Sequence, residues 1–539
     1  MLAMNGTTTY EPSHDPVLLH GLLAHAAARW PDHTAVTHGA DHHSYGQLWR
    51  GAQAWAQALT GFDLSRGARV AVYLEKRVET VLTAFGTTAA QCVWVPVNPV
   101  LKAQQVAHVV QDAGAEVLVT SASRWAGLQA VLTTCPSLRH VVLVDASPTD
   151  PPAPVGGAGV AQWDWRALLA AQSGQALGVN EPLPTRVAAV FYTSGSTGKP
   201  KGVVLSHDNL VVGAKSVAAY LGNHNGDTLL AVLPLSFDAG FSQLTTAFVV
   251  GARVVLLNYL LPRDVLLAMA REKVTGLTAV PPLYMQLLGG AWPPEATQHL
   301  RYWANTGGRM PEATFRQLRE RAPGALPYLM YGLTEAFRST YLPPELADQH
   351  PDSIGRAIPN AEILVLRPDG SPCGVDEPGE LVHRGPLVAQ GYWNRPDETA
   401  QRYRPLPQGW PDAQPGERVV YSGDTVRRDA QGLLYFVGRT DEMVKTSGYR
   451  VSPTEVEEVL YQSGWVTEAV VVGVPDAALG ARLKAVVVAA QAEVSTPGLL
   501  DHCRRELPAF MVPHEVLWVP GPLPRSPNGK LDRQHWRTP

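Results

Sequence analysis

The chain has 539 residues, 45% hydrophobic and only 17% charged, which excludes a disordered polar protein and predicts two to four packed domains. Its formal charge of −4, from 44 basic and 48 acidic side chains, argues against nucleic-acid binding through a large basic face. The basic residues divide into 9 Lys and 35 Arg, so the few lysine positions carry information.

Along the first 150 residues, short apolar runs alternate with helical patterns. Ala68–Leu74, Cys92–Val97, Glu116–Thr120 and His140–Asp145 read as buried strands, and Ala103–Ala113 as a helix. This rhythm predicts βαβ units and a mainly parallel sheet. Ser147–Gly159 is a Pro/Gly-rich loop. The α/β rhythm resumes at Arg186 and runs past Met330. From Ala361 short strands separated by Gly and Pro, such as Gly379–His383 and Leu433–Val437, predict a β-rich subdomain. A boundary is expected near Asp441, giving domains 1–440 and 441–539. The second should hold helix Pro453–Ser463, strands Glu468–Val474 and Leu483–Ala490, and helix Pro497–Glu506.

Cys92, Cys135, Cys373 and Cys503 form no C-x-x-C pair, so four reduced thiols are expected rather than a zinc site or disulfides. Met1–Asp15 lacks a signal-peptide core, and no run reaches the roughly 18 apolar residues of a membrane span. A soluble cytoplasmic protein is expected.

The strongest local signal is Thr193-Ser194-Gly195-Ser196-Thr197-Gly198-Lys199, continuing through Pro200 and Lys201 to Gly202, after the apolar strand Val187–Tyr192. Backbone N–H groups, hydroxyls and an ammonium suit a loop that wraps polyphosphate. Pro200 rules out the P-loop of nucleotide kinases, where Ser or Thr follows the lysine at a helix start.

This segment resembles the signature of the ANL adenylating superfamily of acyl-CoA synthetases, adenylation domains and luciferases. Tyr331-Gly332-Leu333-Thr334-Glu335, Tyr421–Asp424, Gly438–Asp441, Lys445–Tyr449 and Pro527–Lys530 follow in family order. The resemblance implies an α/β fold with a large N-terminal α/β/α domain, a β-rich subdomain and a small mobile C-terminal α+β domain. It implies a reaction in which a carboxylate attacks the α-phosphate of ATP and a thiol then displaces AMP. Lys530 resembles the catalytic lysine, Glu335 the Mg2+ ligand and Thr334 a phosphate contact. Gly307, Gly308, Arg309, Tyr331, Asp424 and Arg439 are expected to hold the nucleotide. Asp441 falls at the family hinge. Lys445, Ser447, Gly448 and Tyr449 would serve the thioester step, with room for a phosphopantetheine arm.

Asp238, within Leu233–Phe241, lies where amino-acid adenylation domains place the carboxylate that pairs with the substrate ammonium. An Asp that only caps a turn is the alternative. The other expected walls are Ala239, Ser242, Ala279, Ala304, Thr306, Met330, Arg338 and Ser339. Arg338 would bind a second carboxylate, unless it pairs internally with Asp238. Asp238 and Arg338 together describe an amino dicarboxylic acid such as aspartate or 3-methylaspartate. Tyr331–Pro343 resembles two ANL branches: ligases that load aspartate-type β-amino acids onto carrier proteins for macrolactam polyketides, and the exosortase-associated acyl ligases. The expected partner is a separate acyl carrier protein, since no carrier domain follows Lys530. An acyl-CoA ligase for a small or medium acid, and a non-catalytic nucleotide-binding regulator, are the alternatives.

Overall fold

The computed structural model describes residues 15–132, 135–146, 160–172, 183–193, 199–407, 409–439, 443–491, 495–524 and 531–537. The loop Ser147–Gly159, residues Ser194–Gly198, Asp441 and Lys530 lie outside the described residues, as does the Arg439 side chain. The chain forms two compact units.

The first unit comprises Met1–Pro99, Ala107–Phe191 and Val204–Asn258. Six strands of its main sheet run parallel, in the order Val187–Thr193, Val93–Pro96, Arg69–Tyr73, Val117–Thr120, His140–Leu143, Ala161–Asp164. The first five are the strands that the apolar runs predicted, with ends shifted by a residue or two; Ala161–Asp164, only half-buried, was not predicted. A second group pairs Thr228–Ala231, Arg253–Leu256 and Thr34–His38 in parallel, and closes antiparallel on Asp41–Ser44. Parallel strands must be covered on both faces, which explains their unbroken apolar character.

Helices Tyr45–Thr60 and His207–Leu221 start with capping boxes from Ser44 with Gln47 and Ser206 with Asn209. Trp94, Phe191, Phe241, Phe85 and Phe248 fill the space behind the sheet, with Trp94 and Phe241 ring centroids 4.6 Å apart. Each such buried side chain contributes about 1.5–3 kcal/mol. Helix Asp238–Val250 packs closely enough that a Cβ on Gly240 would lie 1.8 Å from the Pro234 carbonyl oxygen. Glycine is therefore required there, and it fixes where Asp238 starts the helix.

The second unit comprises Val100–Val106, Tyr192–Val203 and Tyr259–Pro539. Strands Gly276–Ala279, Tyr302–Asn305 and Leu326–Tyr331 run parallel. The direction then alternates through Thr340–Leu342, Ser353–Ala357, Leu434–Arg439, Arg418–Arg428, Gly379–Arg384 and Glu362–Leu366. This is the β-rich region expected after Ala361. A hairpin, Val444–Thr446 with Tyr449–Val451, precedes a sheet of Val466–Asp476, Gly480–Ala489 and Glu515–Trp518. Helices Pro453–Gln462 and Thr496–Glu506 cover it around Leu460, Val471, Leu483, Leu499 and Cys503. The fold is the mixed α/β architecture with a small α+β end that the sequence implied. Among the described residues no helix is long and apolar enough to cross a membrane.

Two buried features give this fold a pH response of opposite signs. In the first unit the Leu19 N–H donates to His207 Nδ1 at 3.1 Å, and the His20 ring meets His207 edge-on. Burial lowers His20 to about 4 and His207 to about 3. The native state then binds fewer protons than the unfolded chain below the ordinary histidine value of 6.5, so stability is lost as pH falls. In the second unit Gln105 Nε2 donates to Glu455 Oε1 at 2.9 Å, and burial pushes the Glu455 carboxyl up to about 7. Here the native state binds more protons, so stability is lost as pH rises from 4.5 towards 7. We expect His20→Leu to remove about 2 kcal/mol of the acid-side loss between about pH 7 and pH 5, and Glu455→Gln to flatten the alkaline-side loss. Urea midpoints across that range check both.

Candidate active site

Open α/β sheets bind ligands outside the carboxyl ends of their parallel strands. In the second unit that place lies beyond Asn305 and Tyr331. A cavity of ≈ 90 Å³ opens there, lined by Gly307, Gly308, Arg309, Tyr331, Phe436 and Lys445 among others. Asn305 Nδ2 donates to the Gly308 carbonyl at 3.0 Å, which shapes its floor. The Tyr331 hydroxyl donates to Asp424 Oδ2. Asp424 also lies opposite Arg439 in the strand register. The structure thus gathers six of the expected nucleotide residues at one edge: Gly307, Gly308, Arg309, Tyr331, Asp424 and Arg439.

Thr334 and Glu335 form a short 3-10 turn after Tyr331. Glu335 is buried, and its Oε1 accepts a hydrogen bond from the Tyr392 hydroxyl at 2.7 Å. Arg450 Nη1 lies 3.9 Å from the same oxygen. Burial alone pushes this carboxyl up. The Arg450 and Arg402 guanidiniums and the Tyr392 hydrogen bond outweigh it and hold Glu335 below the usual carboxylate value. Among the described residues no group of three His, Cys, Asp or Glu could hold a metal alone. A single ionised carboxylate fits a hard cation such as Mg2+ that takes its remaining oxygens from phosphates and water.

The turn closes at Phe337, which is buried with φ 56°, a left-handed conformation unfavourable for an aromatic residue. It delivers Arg338 and Ser339 into the interior, 3% and 0% exposed. Ser339 Oγ meets His383 Nδ1 at 2.9 Å, and burial lowers His383 to about 3, so the ring is neutral. Thr306 is buried, with its N–H on the Ala279 carbonyl. Thr306, Arg338 and Ser339 belong to the second unit. Asp238 and Ala239 are the first two residues of helix Asp238–Val250 in the first unit.

The phosphate loop leaves strand Val187–Thr193, whose last residue is Thr193. Lys199 is exposed. Lys201 pairs with Glu398 and lies 5.5 Å from the Tyr392 ring centroid. The Trp393 N–H donates to the Gly202 carbonyl at 2.7 Å. One flank of the loop is therefore tied to the tyrosine that holds Glu335.

The Val444–Val451 hairpin reaches the same cleft. Lys445 Nζ lies 5.7 Å from the Tyr331 ring centroid. Ser447 and Gly448 form the turn, both with positive φ, 52° and 81°. A Cβ on Gly448 would lie 2.7 Å from Val280 Cγ1, so only glycine fits in both space and conformation. Tyr449 stacks on Phe510 with centroids 3.8 Å apart.

Tyr392, Arg402, Arg450 and His383 are site neighbours that the motifs did not single out. A signal existed for Arg450. A two-residue Ser-Gly turn places it opposite Lys445, on the same hairpin face. Arg402 and His383 come from distant strands and helices, and no local pattern marks them.

Comparison with known proteins adds an independent line. The family described as AMP-binding enzyme matches residues 23–393, and the AMP-binding enzyme C-terminal domain matches 455–530. The chain is 30% identical over 521 residues to a linear gramicidin synthase of Brevibacillus parabrevis, covering 96% of this chain but 10% of that much longer protein. It is 29% identical to a long-chain-fatty-acid–CoA ligase of Yersinia pestis, covering 96% of this chain and 93% of that one. Among solved structures, the amide bond synthetase McbA from Marinactinospora thermotolerans superposes with a TM-score of 0.82 at 25% identity, covering 96% of this chain and 99% of that one.

Removing the hydroxyl that steadies Glu335 should weaken metal-dependent nucleotide binding. We expect Tyr392→Phe to cost about 10-fold in affinity for Mg2+–ATP, as losses of outer-sphere partners do. The same variant should change metal-free ATP binding little. Calorimetric titration with and without Mg2+ checks this.

Proposed function

The chain belongs to the AMP-binding enzyme family, and from that premise we propose an ATP-dependent, AMP-forming ligase that adenylates an amino dicarboxylic acid of the aspartate or 3-methylaspartate type. The acyl group passes as a thioester to the phosphopantetheine of a separate acyl carrier protein. One observation carries the substrate reading: Arg338, 3% exposed, stands three residues beyond Glu335. A buried guanidinium is costly unless an anion meets it, and it grips a carboxylate with two parallel hydrogen bonds. In this reading Arg338 takes the free carboxylate, with Ser339 beside it. Asp238, which opens its helix with Ala239 next to it, is the proposed partner of the ammonium, and Thr306 lies in the same unit as Arg338.

In the first half-reaction a substrate carboxylate oxygen forms a bond to the α-phosphorus as the α–β phosphoanhydride bond breaks. Pyrophosphate leaves. Two anions meet, so positive charge must be supplied. Lys199 and the loop Thr193–Gly198 bear on the polyphosphate, and Lys530 bridges the reacting oxygens. Bound at Glu335, Mg2+ would neutralise the departing pyrophosphate. Tyr331 faces the adenine beside Gly307, Gly308 and Arg309, while Asp424 and Arg439 serve the ribose. In the second half-reaction the pantetheine sulfur attacks the acyl carbon, the thiol proton is lost and AMP departs. The hairpin Lys445–Tyr449 brackets the path, with Asp441 as the pivot of the proposed domain 441–539 against 1–440.

An acyl-CoA ligase is the second reading. It is favoured by the Yersinia pestis CoA ligase, which this chain matches over 93% of that protein's length.

ATP–pyrophosphate exchange with a panel of aspartates and fatty acids tests the proposal. Aspartates should stimulate exchange, and plain fatty acids should not. Arg338→Ala should lower kcat/KM for the dicarboxylate about 100-fold or more, the scale of a lost buried charge pair. Lys530→Ala should nearly abolish exchange. Strong exchange with fatty acids alone, and transfer to CoA in preference to a holo-carrier protein, would establish the second reading instead.

A further inference from the structure

The hairpin Val444–Thr446/Tyr449–Val451 presents two cations from one face. Lys445 and Arg450 are register partners across it. Lys445 Nζ stands 5.7 Å from the Tyr331 ring in the nucleotide cleft, and Arg450 Nη1 stands 3.9 Å from Glu335 Oε1. The hairpin tip is fixed in the same arrangement. Gly448 abuts Val280, and the Ser447 N–H donates to the Leu479 carbonyl at 2.9 Å. Glu335 is 2% exposed and already accepts from Tyr392, with Arg402 close by. There is little room round it for further charge.

A metal ion ligated by this carboxylate would sit about 2.0–2.1 Å from its oxygen. A guanidinium on the same buried oxygen would then face a divalent cation across a few ångströms of poorly screened space. The two cations are therefore alternatives. We infer that Arg450 is a positioning residue that stands in for the metal: it takes the Glu335 carboxylate when the metal–pyrophosphate has gone, and so holds the hairpin against Val280 and the nucleotide cleft. Docking of the hairpin and binding of Mg2+–ATP are thereby made mutually exclusive. The adenylating and thiol-accepting arrangements are separated by charge as well as by shape.

This rests on the adenylating reading of the site but not on the identity of the acid or thiol. The test needs only the full chain, ATP and MgCl2, so a wrong acid leaves it unaffected. ATP affinity is measured by calorimetry across a Mg2+ series for wild type, Arg450→Gln and Arg450→Lys. Hydrogen exchange of amides 444–451 is followed in wild type with and without Mg2+–ATP. Removing the competing cation should tighten Mg2+–ATP binding about 5- to 10-fold in Arg450→Gln and lower the half-saturating Mg2+ concentration. Arg450→Lys, which keeps the charge, should fall between that variant and wild type. Mg2+–ATP should also speed exchange of the wild-type hairpin amides. The inference is overturned if Arg450→Gln weakens Mg2+–ATP binding or leaves its Mg2+ dependence unchanged, or if the wild-type hairpin is equally protected in both states. The hydrogen-exchange arm uses no variant, so misfolding of Arg450→Gln does not remove the test.

Discussion

A carboxylate placed almost wholly out of water has to be compensated on every side, and Glu335 organises much of the second unit for that reason. Its compensators come from three separate stretches of chain. Tyr392 ends the two-residue strand Gly391–Tyr392, Arg402 lies on the short helix Pro396–Arg402, and Arg450 rides on the hairpin. The guanidiniums outweigh desolvation, so the group stays charged while buried. An ion compensated this way keeps its affinity for a stronger cation. That is the property a metal-assisted phosphoryl site requires.

The same tyrosine, Tyr392, also meets the flank Lys201–Gly202 that follows the Ser/Thr/Gly-rich segment. Lys201 reaches the Tyr392 ring and Glu398, and the Trp393 backbone bonds to Gly202. The segment that would cradle polyphosphate and the carboxylate that would hold its metal share one tyrosine. Displacement of either end is felt at the other. This coupling is built from ordinary side-chain contacts within one unit and needs no long relay.

How much of this was legible in the sequence depends on the range of the interaction. The parallel strands were readable because burial on both faces leaves continuous apolar runs, as in Val117–Thr120. Helix Ala103–Ala113 was readable from its periodicity. The motif residues at this cleft sit in short contiguous stretches, so each stretch was readable, and the strand ends at Asn305 and Tyr331 place Gly307 and Tyr331 on one cavity with Asp424 bonded to Tyr331. Arg402 and His383 were not readable. Their roles depend on antiparallel pairings across scores of residues, and nothing near them in sequence records those pairings. Arg450 lies between these cases: hairpin geometry gives its face, but the carboxylate it meets is more than a hundred residues away.

The positive-φ turn at Phe337 has a consequence for which side chains position 338 can hold. The backbone reverses between Glu335 and Arg338, and the conformational penalty of that reversal, of order 1–3 kcal/mol, falls on the buried aromatic residue between them. Residue 338 itself carries none of it. The position behaves as a socket: the scaffold dictates where a side chain emerges and leaves its chemistry open. Under the proposed function, exchanging that side chain would alter the acid accepted while the turn and the Glu335 contacts stay as they are.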